Sequence, residues 1–158
     1  MTPVPALPPY AHLDAEATQC VASTAVRYQV PELLLHSILM KENGRNGKCS
    51  VNKDGSKDCG LAQINDKWKD YFEKKGVGYQ FIVNDQCTNI QASAYILKTY
   101  YNKKEKDWFK AIVSYNIGPY KWTPNRYSIG HKYATDVVGR WWGFQKWVEQ
   151  NKTNTKLR

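Results

Sequence analysis

Apolar residues recur every three or four positions over most of this chain, and the breaks fall at Gly, Asn, Asp and Pro. Asp14 can cap a helix that starts at Ala15, where Ala17, Val21, Ala25 and Tyr28 share one stripe with Cys20 beside it. A second helix begins at Pro31, because proline suits a first turn. Leu34, Leu35, Ile38 and Leu39 give it a broad apolar face, and Asn43-Gly44 is the expected left-handed stop. From Gly44 to Gly60 the periodicity vanishes into Gly, Asn, Asp, Ser and Lys. This stretch predicts a long loop or a short hairpin, with Asp54-Gly55 as the turn signal. A short helix is expected over Asn65 to Lys75, before Gly76 and Gly78. Ile90, Ala94, Leu97 and Tyr101 mark a further helix. Another carries Trp108, Ala111, Ile112 and Tyr115, is capped by Asp107, and ends at Gly118-Pro119. Ile129, Tyr133, Val137 and Trp141 predict a last helix, weakened by Gly130 and Gly139.

Only the Gly44 to Gly60 region invites strands. The fold class is therefore mainly α, one helical domain with a long loop or a small β-hairpin. A length of 158 residues fits a single core. The expected divisions are an extended Pro-rich leader over 1–12, a folded domain over 13–150 and a basic C-terminal tail over 151–158. Met1 to Tyr10 holds four prolines and no apolar run, so it does not read as a signal peptide. No segment is apolar enough for a membrane span. Trp141, Trp142 and Trp147 are expected to pack on the core.

Charge narrows the partners. The formal charge is +9, which favours anionic polymers by long-range attraction. The basic residues are scattered apart from Lys103, Lys104 and Lys106, and no nucleic-acid motif accompanies them, so nucleic acid is not an expected partner. Cys20, Cys49, Cys59 and Cys87 are well separated and allow three pairings. Two disulfides and an oxidising compartment are expected. A bridge between Cys49 and Cys59 would staple the loop they bracket. With His12, His36 and His131 isolated, no metal and no cofactor is expected.

Glu42 is the main candidate for chemistry. It follows Ile38 by four residues and Leu35 by seven, so it shares their buried face. Burial and the negative end of its helix both disfavour ionisation. A carboxyl kept protonated near neutral pH suits a general acid for glycoside cleavage. Gly60-Leu61-Ala62-Gln63-Ile64-Asn65 offers two amides for sugar hydroxyls and N-acetyl groups, and Tyr115-Asn116-Ile117-Gly118 closes a helix where it can face a cleft.

In this order Glu42, the Gly-Leu-x-Gln-Ile-Asn segment, the Tyr-Asn-x-Gly segment and Tyr133 resemble the soluble lytic transglycosylase family. The resemblance covers roughly Cys20 to Trp141. It is nearest to the small specialised members that accompany type IV secretion, conjugation, type III secretion and pilus assembly. A Cys in the first helix and Asp85-Gln86-Cys87-Thr88-Asn89-Ile90 are shared with them. That likeness implies Cys20 paired with Cys87, leaving Cys49 with Cys59. Asn52 to Asn65 is similar to the active-site hairpin of animal-type lysozymes, where an Asp at the position of Asp58 is a second carboxylate. Both likenesses imply a lysozyme-like fold. The sequence departs from the transglycosylase pattern at Asn43, where many members have Ser, at Ala62, where Met is common, and at Cys59, often an aromatic.

The resemblance implies a monomeric periplasmic or secreted enzyme, its export signal removed. It would cut peptidoglycan between N-acetylmuramic acid and N-acetylglucosamine and leave a 1,6-anhydro end. Glu42 would act as acid and then base, with Gln63, Asn65, Tyr115, Asn116 and Tyr133 orienting the sugar; Tyr127 is an alternative to Tyr133. Components of a secretion or conjugation apparatus are the further partners it implies. Two other outcomes remain open from sequence: hydrolysis using Glu42 and Asp58, and a non-catalytic wall-binding assembly module.

Overall fold

The computed structural model describes residues 13–156, with side chains through Lys152. The expected leader lies outside them. Asp14 accepts the Ala17 N–H at 2.8 Å and opens α1 (Ala15–Tyr28), which closes on a left-handed Gln29. After Pro31 comes α2 (Glu32–Glu42), ended by Asn43 at φ 53°. This left-handed stop turns the chain sharply just after Glu42. Leu34 to Leu39 are all buried, including His36 and Ser37. Thus α2 runs through the centre of the molecule, hydrophobic on most sides as a central helix must be.

The Gly44 to Gly60 stretch contains a hairpin of β1 (Cys49–Val51) and β2 (Lys57–Cys59), to which β3 (Ile64–Asn65) adds. The sheet is antiparallel in the order β1-β2-β3, with Cys49 opposite Cys59 and Asp58 opposite both Ser50 and Asn65. The helix expected over 65–75 is broken. Asn65 belongs to β3 and its side chain caps a 3-10 turn (Asp66–Trp68), so α3 spans only Lys69–Lys74. A short α4 (Tyr79–Asn84) was not expected. Asp85 caps α5 (Gln86–Lys103) and Asp107 caps α6 (Trp108–Ile117).

The last helix is longer than its glycines suggested. α7 (Pro124–Lys156) crosses residue 150 and is about 50 Å long at 1.5 Å per residue. A Cβ on Gly130 would sit 2.8 Å from Val113 Cγ1 and 2.9 Å from Ile117 Cδ1. Gly130 is therefore where α7 lies against α6, and the close packing offsets its weak helix propensity. Ile82, Ile90, Leu97, Ile112 and Val137 complete the core around α2. Of the expected core tryptophans, Trp141 packs against it but Trp142 is 61% exposed and Trp147 partly so. Disulfides join Cys20 to Cys87 and Cys49 to Cys59, the pairing that the resemblance implied.

Candidate active site

Glu42 is the last residue of α2, half-buried overall with its carboxyl enclosed. Burial pushes that carboxyl up to about 7. The Tyr133 hydroxyl donates to Glu42 Oε1 at 2.5 Å and opposes the rise, because it stabilises the charged form. The negative charge of Asp58 adds to the rise, and Lys41 subtracts from it. Tyr133 is itself held well above its ordinary value by burial and then by Glu42, so it stays a donor. Lys41 does not approach as a free cation. Its Nζ lies 2.9 Å from Asp136 Oδ2 and 5.9 Å from the Tyr133 ring centre, while Arg140 holds Asp136 Oδ1 at 2.6 Å.

The hairpin fixes the second carboxylate through side-chain amides. Asn65 Nδ2 donates to Asp58 Oδ1 at 2.8 Å, and Asn52 Nδ2 donates to Oδ2 at 3.0 Å. The remaining hydrogen of each amide goes to Ser56 Oγ, which in turn donates to Asp54 Oδ1 at 2.6 Å. Gln63, left-handed at φ 53°, returns its Nε2 to the Gly60 carbonyl at 3.0 Å and accepts from Ser50 at 2.5 Å. Tyr115 donates its hydroxyl to the Ala62 carbonyl at 2.9 Å and also contacts Ser93, its hydroxyl held far above the ordinary value by burial first and Glu42 second.

What anchors this hairpin to the core is Asn89, fully buried at the start of α5. Its Nδ2 donates to the carbonyls of Cys59 (2.9 Å) and Ile82 (2.8 Å), and its Oδ1 accepts from Ala62 N at 2.8 Å. Gly60, at φ +77°, leaves room for that amide, and Gly44 lets the chain after α2 pass directly against the Gly60 carbonyl.

The result is one polar cavity of about 290 Å³ that Glu42, Asp58, Gln63, Asn65, Tyr115 and Asn116 all line. Tyr133 reaches it through Glu42. Tyr127 does not; it is 39% exposed and packs on Trp122 and His131. The amide hydrogens of Asn65 are spent inside the hairpin, so its part at the site is to hold Asp58. Sequence reasoning had not assigned Asn52, Ser56 or Asn89. All three lie within the segments singled out for the family likenesses, but the partners that explain them are remote in sequence or were masked by a loop reading. Glu16, Asp85 and Cys87 bring ligand atoms within 4.8 Å of one another, but the Cys87 sulfur is spent in a disulfide and the trio carries no metal argument.

A helical body, a three-stranded sheet at its edge, and a carboxyl on the central helix facing a second one on the hairpin make this a lysozyme-like domain. Residues 19–134 match the family described as Transglycosylase SLT domain, and the chain belongs to that family. It is similar to Protein IpgF of Shigella flexneri, at 30% identity over 123 residues, covering 77% of this chain and 78% of that one. It is also similar to Invasion protein IagB of Salmonella typhi, at 27% over 140 residues (88% and 83%), and to X polypeptide of Escherichia coli strain K12, at 27% over 122 residues (77% and 71%).

Proposed function

We propose that the chain is a lytic transglycosylase that cuts peptidoglycan between N-acetylmuramic acid and N-acetylglucosamine. The observation that carries this is Glu42, a carboxyl pushed up to about 7 and oriented by Tyr133 at the edge of a polar cavity. Glu42 gives its proton to the glycosidic oxygen as the C1–O4 bond breaks, and positive charge develops at C1. The substrate's own acetamido oxygen stabilises that centre. Glu42, now a carboxylate, takes the proton from the C6 hydroxyl as the C1–O6 bond closes the anhydro ring. Asn116 and Tyr115 line the cavity where the sugar would lie.

A second reading has its own observation. Asp58 faces the same cavity with both oxygens held by amides, which orients it for the C1 centre. With its help water becomes the acceptor and the product keeps a free reducing end. Digestion of purified peptidoglycan followed by mass analysis separates the two. Anhydro-muropeptides that disappear in Glu42→Gln, and persist in Asp58→Asn, support the transglycosylase. Reducing ends lost in both variants support the hydrolase, and no product from the wild type removes both.

Two disulfides suit an oxidising compartment, and among the described residues no helix is long and apolar enough to cross a membrane. The proposed setting is the periplasm or the exterior, as a monomer. The similarity to Invasion protein IagB of Salmonella typhi fits local opening of the wall for a secretion apparatus.

A further inference from the structure

Asn116 lines a second space besides the Glu42 cavity. This is an open groove of about 950 Å³, walled by Lys41 and by the face of α7 that carries Ser128, Ile129, Lys132 and Asp136. Tyr133, the partner of Glu42, also lines it. The two spaces thus adjoin at Asn116, and the Tyr133–Glu42 hydrogen bond ties the wall of one half to the wall of the other.

Their charges differ in sign. The first half carries Asp54 and Asp58 against Lys67, with Glu42 raised by burial so that it holds its proton. The second carries Lys41 and Lys132 against Asp136. Both oxygens of Asp136 are occupied, one by Lys41 and the other by Arg140, and these contacts hold its carboxyl below its ordinary value. Its charge is therefore fully matched. Lys132 is exposed and has no carboxylate partner among the described residues. Beside it Ile129 is 62% exposed, an apolar side chain on an otherwise polar wall.

A neutral glycan has no use for an unpaired ammonium. The carboxylates of a peptidoglycan strand are on the peptide stem, which hangs from the lactyl group of each muramic residue and also carries alanine methyls. We propose that this groove takes the peptide stem of the muramic residue beside the bond that is cut, with Lys132 meeting a stem carboxylate and Ile129 a methyl. The acidic half repels the same carboxylates, so the pair of lobes fixes which way the strand lies. This inference rests on the glycan-cleaving function proposed above and adds the stem as a recognised element.

Binding rather than turnover tests it. Glu42→Gln protein is titrated by calorimetry with soluble tetrasaccharide fragments, either with stems or with stems removed by an amidase and the lactyl carboxylates so freed converted to neutral amides. Stems should raise affinity about three- to fivefold at low salt, the range of an exposed ion pair, and less at high salt. Adding Lys132→Gln should abolish most of that difference, whereas Lys146→Gln, whose Nζ lies over Trp142 well along α7, should leave it. Equal affinity for the two fragments, or a Lys132→Gln loss that is the same for both, overturns the inference and leaves the glycan-cleaving function standing. Failure to bind either fragment overturns both.

Discussion

Glu42 and Tyr133 are 91 residues apart, and their contact opposes the rise that burial gives the proposed acid. A general acid must carry its proton, so wall lysis should fall as pH rises through about 7. Tyr133→Phe removes the hydrogen bond that favours the carboxylate. Its loss should move the alkaline midpoint upward, while the rate at the optimum drops roughly 10- to 100-fold because the carboxyl is no longer oriented. The measurement is turbidity loss of purified walls from pH 5 to 9. A midpoint that stays put or moves down would show that Tyr133 does not set the proton affinity of Glu42. The side chain of Glu42 was legible as a candidate because its helical spacing put it on a buried face. Tyr133 was legible only through family likeness, since no local spacing relates it to Glu42.

Elements defined by local physics were readable in the sequence. Asp14 and Asp107 mark helix starts, and Asn43 marks a stop, because a cap is satisfied by residues two to four positions away. The failures have the opposite character. α4 is six residues long with only Ile82 buried, and its Ile82 carbonyl is met by Asn89 from the next helix. The 65–75 helix breaks because Asn65 is drawn into β3 by Asp58. α7 runs through Gly130 because α6 needs the space a side chain would fill. In each case a remote partner overrides propensity. Asn89 is the sharpest case, and it yields a prediction. Asn89→Ala leaves the carbonyls of Cys59 and Ile82 and the N–H of Ala62 without their partner. The expected loss is about 2–4 kcal/mol in urea unfolding, since buried polar groups left unpaired cost about 1–3 kcal/mol each and water can re-enter part of the site. Activity should fall further than stability accounts for, because the hairpin segment that walls the Glu42 cavity loses its anchor. A loss under about 1 kcal/mol would mean that the hairpin is fixed by other contacts. The Cys49–Cys59 bridge is one such contact, and on a chain-entropy model a loop of this size contributes roughly 3 kcal/mol.

Across the molecule, two groups on α2, His36 at mid-helix and Glu42 at its end, pull stability in opposite directions with pH. Burial lowers His36 from 6.5 to about 4, so the folded protein refuses a proton that the unfolded chain accepts. Its contribution is present above pH 6.5 and is lost as pH falls toward 4. Glu42 is raised from 4.5 to about 7, so the folded protein keeps a proton that the unfolded chain gives up. Its contribution is present below pH 4.5 and is lost as pH rises through 7. Each shift corresponds to roughly 3 kcal/mol, and the two windows overlap between pH 4.5 and 6.5. Wild-type stability should therefore be nearly flat there. Glu42→Gln removes one slope and leaves the other, so its stability should climb by about 2–3 kcal/mol from pH 4.5 to 7, ending above the wild type at pH 7. His36→Gln should show the reverse, a fall over the same range, whatever its absolute stability. Working above pH 4 keeps clear of Asp14, Asp54 and Asp136, whose hydrogen bonds lower them from an ordinary 3.8. Urea midpoints at four pH values for the three proteins are enough. Parallel curves would mean that neither group titrates differently on folding. A rising Glu42→Gln curve beside a flat wild type would show that the proposed catalytic acid is held at a standing cost in stability near neutral pH.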